Sequence, residues 1–144
     1  MTTVERVLGK KGREIWTIGP DESVYDAIVL MAEREVGALP VVTAGDLAGI
    51  ISERDYARKV ILKGRSSKAT PVRDIMTSHV VTVSPEQTID NCMSLMTEHH
   101  IRHLPVVEDG GLVGMLSIGD VVKSIISQRE DEIQDLERYI TGSR

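Results

Sequence analysis

The chain has 144 residues, 41% of them apolar, a net charge of −5 and no phenylalanine. That suffices for one compact aliphatic core and is too short for two catalytic domains of ordinary size. The acidic balance argues against non-specific nucleic-acid binding, whose affinity comes from a basic surface that releases counterions.

The opening segment MTTVERVLGKKG has no apolar signal-peptide region, and no later apolar run approaches the roughly 20 residues of a membrane span. A soluble, cytoplasmic protein is expected, with the segment read as a loop carrying Lys10, Lys11 and Arg13. Ile15 to Ile18 then reads as a short strand ending in a Gly-Pro turn. Val24, Ala27, Ile28 and Met31 fall at i, i+3, i+4 and i+7, the spacing of an amphipathic helix. Leu39-Pro40-Val41-Val42 opens a second strand, where a proline at the start costs no ladder bond. The turn Ala44-Gly45-Asp46 leads into a third strand, Leu47 to Ile51, and a second helix begins at Ser52. The polar stretch from Gly64 to Thr70 reads as a linker needing no structure of its own.

The same order then recurs. Sliding the chain along itself until Thr17 meets Thr82 also superposes Pro20 on Pro85, Met31 on Met96, Pro40 on Pro105, Gly49 on Gly114 and Asp55 on Asp120, without a gap. The second copy has a strand at Val80 to Val83 and a helix on Ile89, Cys92, Met93 and Met96. Leu104 to Val107, the turn Asp109-Gly110-Gly111, Leu112 to Leu116 and a helix from Ser117 complete it. Each copy is βαββα. A lone three-stranded unit leaves one sheet face uncovered, so the copies are expected to pack against each other about a pseudo-twofold axis, creating two equivalent clefts. Cys92, the only cysteine, excludes an internal disulfide, fits a reducing compartment and lies where a core thiol belongs.

Both second helices start with Ser-x-x-Asp, at Ser52 to Asp55 and Ser117 to Asp120. Serine followed three residues later by an acid is a capping-box pattern that needs no ligand. The same groups can also serve a nucleotide: free N–H groups and a hydroxyl suit a phosphate, a carboxylate can accept two ribose hydroxyls, and an apolar slot takes a base. Residues 54 to 73 hold Arg54, Arg58, Lys59, Lys63, Arg65, Lys68 and Arg73 against the single acid Asp55, either a solvated surface or a field that draws in a phosphorylated molecule. Asp74 follows at once.

His99, His100 and His103 invite a metal reading, but the spacing lacks the His-Glu-x-x-His pattern and straddles a helix end, so no metal is expected. The last helix outlasts its counterpart. From Val122, Ile126, Arg129, Ile133, Leu136 and Ile140 follow a 4-3-4-3-4 spacing, an apolar seam with one interruption that Gly142 ends as a cap. A subunit contact is favoured over packing on the chain's own core.

The repeated order of strand, amphipathic helix, Leu-Pro-Val-Val and Ser-x-x-Asp resembles the tandem cystathionine β-synthase (CBS) domain from residue 4 to about 127. GIISERDYARKVILKGRSSKATPVRDIMT and IRHLPVV are similar in particular to stand-alone CBS-pair proteins. The resemblance implies an α/β fold of two pseudo-symmetric βαββα repeats packed sheet to sheet, at 4–63 and 71–127, with a linker at 64–70 and a helical extension at 128–144. It implies a regulatory, non-enzymatic protein that takes AMP, ADP, ATP, NAD or S-adenosylmethionine as ligand, with no resident cofactor. Asp55 and Asp120 would hold ribose, with Ser52 and Ser117 near phosphate. Val80, Val81, Ile101, Arg102 and His103 would complete the Asp55 cleft beside Arg54. Ile15, Trp16, Val36, Gly37 and Ala38 would complete the Asp120 cleft. The second set brings no cation, so the clefts are expected to differ. A homodimer through the CBS faces and the last helix, and an unknown protein target, complete the expectation. A structural adapter with empty clefts is the main alternative; a small enzyme using His103 or Cys92 lacks a visible nucleophile with a paired base.

Overall fold

The computed structural model describes residues 1–141 and contains the two repeats as two small α/β units. In chain order the elements are α1 (Val4–Lys11), α2 (Val24–Arg34), β1 (Ala38–Thr43), β2 (Asp46–Ser52), α3 (Glu53–Tyr56), α4 (Ile89–His99), β3 (His103–Glu108), β4 (Gly111–Ser117) and α5 (Ile118–Thr141). Helix α3 widens into one π-helical turn at Ala57–Ile61, and a 3-10 turn spans Val72–Asp74. Gly142, expected to cap the last helix, lies outside the described residues.

Local chemistry sets the boundaries. Ser23 and Thr88 accept the N–H groups of Asp26 and Asn91 at 3.0 and 3.1 Å, capping α2 and α4 at matching positions. Both helices stop in a left-handed residue, Glu35 and His100, each at φ 54°. Each hairpin closes through two residues of positive φ, Ala44-Gly45 and Asp109-Gly110, the signature of a type I′ turn. The expected three-residue turns are thus shorter, since Asp46 and Gly111 already pair across the hairpins.

The first expected strand of each copy is not a strand. Ile18 and Val83 each form a single parallel bridge, to Val41 and Val106. The ladder cannot lengthen because Pro20 and Pro85 follow within two residues and lack the N–H that would extend it. Each sheet is therefore a two-stranded antiparallel hairpin, and the two meet along β2 and β4.

The segment before each repeat packs on the other repeat. Helix α1, in a segment expected to be a loop, buries Val4 and Leu8 in the core of the second repeat beside Ile89, Cys92, Met96, Leu104, Leu116 and Val121. Its first N–H groups, from Val4 and Glu5, donate to Gln87 and Pro85. Reciprocally, Val72 and Ile75 join Val24, Met31, Leu39, Ile51 and Val60 in the core of the first repeat, and Thr77 exchanges both backbone hydrogen bonds with Ile50 of β2. Glycine is required under each clasp. A Cβ on Gly49 would lie 2.7 Å from the Thr77 carbonyl, and one on Gly114 would lie 2.8 Å from the Leu8 side chain. The stretch 64–70 is tied to α2, with Tyr25 and Val24 donating to the Ser67 and Thr70 carbonyls. Thr70 is itself buried, its hydroxyl on the Ser66 carbonyl at 2.6 Å.

Helix α5 leaves the second core after Ile125. Ile126, Ile133, Leu136 and Ile140 are each more than half exposed. No described helix is long and apolar enough to cross a membrane.

Candidate functional site

Between the start of α3 and the chain entering and leaving α4 lies a cavity of about 450 Å³, inside the range of small-molecule sites. Its walls include Ser52, Arg54 and Asp55 from the first repeat and Val80, Val81, Ile101, Arg102 and His103 from the second, which is the set expected around Asp55. Gly37, expected at the other cleft, lines this one. A Cβ there would lie 3.0 Å from Glu53 Oε1 and 3.2 Å from the His103 ring. Arg58 and Lys59, named only as part of the basic run, also line it, as do Ile50, Glu53, Thr77, His79 and His100, which no motif indicated. Arg58 and Lys59 stand one turn after Arg54 and Asp55, on the same helical face.

The Ser-x-x-Asp motif folds as a capping box. Ser52 Oγ accepts the Asp55 N–H at 3.2 Å, while Asp55 Oδ2 accepts the Ser52 N–H at 2.9 Å and its hydroxyl at 3.1 Å. Repeat two does the same: Asp120 Oδ2 accepts the Ser117 N–H at 2.8 Å and Ser117 Oγ accepts the Asp120 N–H at 3.2 Å. Capping leaves Asp55 Oδ1 to Lys59, whose ammonium stands 3.1 Å away and also donates to the Ile75 carbonyl at 2.9 Å. Arg54 reaches across the repeats and donates to the His100 carbonyl at 3.0 Å, so α3 is held against the end of α4.

The basic run divides. Arg54, Arg58 and Lys59 face the cavity, whereas Arg65 pairs with Asp74 at 3.1 Å, Arg73 pairs with Asp21, and Lys68 stacks 4.8 Å from the Tyr25 ring. With Arg102, the cavity therefore carries four permanent cations against Glu53 and Asp55, a field suited to an anion.

The Asp120 surroundings differ. Lys11, at the end of α1, donates to Asp120 Oδ2 at 2.5 Å and to the Met115 carbonyl at 2.7 Å. Of the residues expected there, Ala38 is buried on β1, Val36 packs on the first core, and Trp16 packs on it with Arg34 4.0 Å from its ring centroid. Ile15 is half-buried before the Ile18 bridge. Burial by itself pushes the Asp120 carboxyl up, but hydrogen bonds from Lys11 and Ser117 and the Lys11 charge outweigh it and hold the carboxyl below its ordinary value. At Cys92 burial prevails and pushes the thiol up to about 11, as an inert thiol would be.

His103 lies between the two sites. It lines the Asp55 cavity, yet it feels the charges of Lys11 and Asp120. Burial, Lys11 and Arg102 lower its affinity for a proton, and Asp120 only partly compensates. The unfolded chain therefore takes up a proton as pH falls below the ordinary value of 6.5, while the folded chain resists until lower pH. The contribution of His103 to stability is full above that value and is lost as pH falls through the folded one. We expect the melting temperature to drop between pH 7.5 and 5, and the drop to be shallower in His103→Gln. Parallel curves for the two proteins would show that His103 is not a source of the acid sensitivity.

Comparison with known proteins covers both repeats. The family profile described as "CBS domain" matches residues 11–62 and again 72–127. A protein of Arabidopsis thaliana, "CBS domain-containing protein CBSX3, mitochondrial", is 47% identical over 98% of this chain and 73% of its own length. "CBS domain-containing protein YhcV" of Bacillus subtilis is 34% identical over 79% of this chain and 81% of its own. A solved structure of a protein with CBS domains from Burkholderia ambifaria superposes with a TM-score of 0.84 at 56% identity, covering 88% of this chain and 95% of that one.

Proposed function

Because the chain belongs to the CBS-domain family, as a pair of such domains, we propose that it is a non-enzymatic regulatory module whose Asp55 cavity binds an adenine nucleotide. The observation that carries this reading is the cavity itself: about 450 Å³, apolar at Val80, Val81 and Ile101, cationic at Arg54, Arg58, Lys59 and Arg102, with Asp55 at its rim. The apolar wall suits a base, Asp55 Oδ1 a ribose hydroxyl once Lys59 yields it, and the arginines a phosphate chain. Of AMP, ADP, ATP and NAD, the charge favours the more phosphorylated compounds. Binding would shift a conformation or an assembly that a protein target reads. Cys92 fits a reducing compartment, either the cytoplasm or an organelle such as the one in the plant relative's name.

The test is competitive loading. Purified protein is equilibrated with equal concentrations of ATP, ADP, AMP, NAD and GTP, passed through a desalting column, denatured, and the released compounds are weighed by mass spectrometry. Retention of an adenine compound at near one per chain, with GTP excluded, is the expected result. Retention of none would leave the scaffold reading, in which both motifs only cap helices.

The reading includes a homodimer in which α5 takes part. Its exposed Ile126, Ile133, Leu136 and Ile140 continue beyond a paired unit that is already complete. Truncation after Gln128 should shift the protein from dimer toward monomer in analytical ultracentrifugation. An unchanged sedimentation coefficient, corrected for mass, would assign that face to a different partner.

A further inference from the structure

The distal part of α5 is a helix without a core of its own. The apolar members of its seam, Val122, Ile126, Ile133, Leu136 and Ile140, rise in exposure from 39% to 78%, and none of them joins either hydrophobic core. A helix with so little tertiary support is marginal in water, and the alternating 4-3 spacing fits a second helix laid along it.

The residues beside the seam select the partner and its direction. Lys123, Glu130 and Glu137 flank it on one side, and Ile125, Glu132 and Tyr139 on the other. Two parallel copies would set Arg129 against the partner's Arg129 in one layer and Glu132 against the partner's Glu137 along the edge, like charge against like. Antiparallel copies centred on Asp131 avoid both clashes. Val122, Ile126 and Arg129 then meet the partner's Ile140, the partner's Leu136 and the partner's Ile133, so every seam position is filled. Lys123 faces the partner's Glu137 and Ile125 faces the partner's Tyr139, each pair occurring twice by symmetry. Glu130 and Glu132 meet their own copies near the centre, where the two Arg129 guanidiniums offset them; within one chain Arg129 already reaches Glu132 at 3.3 Å. A register shifted by one heptad leaves two seam residues of each helix without a facing layer.

Resting on the dimer reading above, we propose that the exposed face of α5 docks the α5 of a second copy antiparallel, in the register centred on Asp131. Because Val122 faces the partner's Ile140, the two bodies enter the helix pair 140 − 122 = 18 residues apart. At the rise of an α-helix that is about 27 Å. The dimer is therefore elongated, with one pair of repeats at each end.

Disulfide trapping of the full chain tests the direction, with Cys92 buried and unable to interfere. The double variant Ile126→Cys/Leu136→Cys should oxidise almost completely to a covalent dimer, while Ile126→Cys alone and Leu136→Cys alone should not. Efficient trapping by either single variant would mean parallel helices, and no trapping by the double variant would mean that α5 is not the contact; each overturns the proposal. Charge exchange gives a second readout by analytical ultracentrifugation. Lys123→Glu should weaken the dimer about fivefold, as expected when two exposed pairs become repulsive, and adding Glu137→Lys to the same chain should restore it. A double variant as weak as Lys123→Glu overturns the pairing. A wild-type chain that sediments as a monomer ends the dimer reading itself, whereas a dimer with the wrong trapping pattern ends only the antiparallel arrangement.

Discussion

Truncating Leu8 to alanine should destabilise the protein by about 2–5 kcal/mol, as large-to-small substitutions at fully buried leucines do. Leu8 is wholly inaccessible to solvent and lies against Gly114, where even a Cβ would collide with it. Removing it leaves a cavity in the core formed with Ile89 and Met96 of α4 and Leu104 of β3. The loss is to be read from urea unfolding at fixed protomer concentration, since any dimer couples stability to concentration. An effect below about 0.5 kcal/mol, the size expected of a surface substitution, would show that α1 is an appended tail rather than part of the second core. The consequence reaches the second cleft, because α1 carries Lys11 to Asp120.

The other large effect concerns ATP. Asp55→Ala should weaken ATP binding about tenfold or more, and Asp120→Ala should weaken it less. The cause is the inequality of cations: four line the Asp55 cavity, while among the described residues Asp120 has an ion pair with Lys11 alone. A well-placed, partly desolvated cation on a phosphate contributes on the order of 1 kcal/mol, so the difference should exceed tenfold in Kd. AMP, with one phosphate, should discriminate less. Titration of each variant with ATP and AMP decides it. Equal losses of ATP affinity, or a larger loss in Asp120→Ala, would contradict the assignment. Unchanged affinity with a melting temperature lowered by the ~1 kcal/mol of a lost helix cap would mean that Asp55 only caps α3.

Much of this architecture is legible in the sequence because it is written twice. The superposition of Thr17 on Thr82 and Pro40 on Pro105 locates both hairpins and both long helices, and the i, i+3, i+4, i+7 pattern names their buried residues. What the repeat could not show is where the chain exchanges partners. Val4, Val7 and Leu8 stand at i, i+3 and i+4, a pattern only one turn long in a polar dodecapeptide, and their helix is held because the second core receives them. The short first strands were misread for a related reason: an apolar run such as Ile15 to Ile18 says that residues are buried, not that a ladder forms.

The site divides along the same line. Residues named by a motif or by its repeat counterpart, such as Ser52, Asp55, Ile101 and His103, line one cavity. Thr77 and His79 do so only because the chain clasps β2 on its way into the second repeat, a contact with no local signature. Gly37, expected beside Asp120, lines the Asp55 cavity, because the lining of a cavity depends on which side chains are large and not on paired positions alone. His103 fills the room beside it.

The account is tested most directly by a crystal structure of the full chain grown with saturating ATP. It predicts the ribose on Asp55, the base against Val80, Val81 and Ile101, and the phosphates reaching Arg58 and Arg102. A cavity still empty at saturating ATP, or ATP bound elsewhere with the Asp55–Lys59 pair intact, would contradict it.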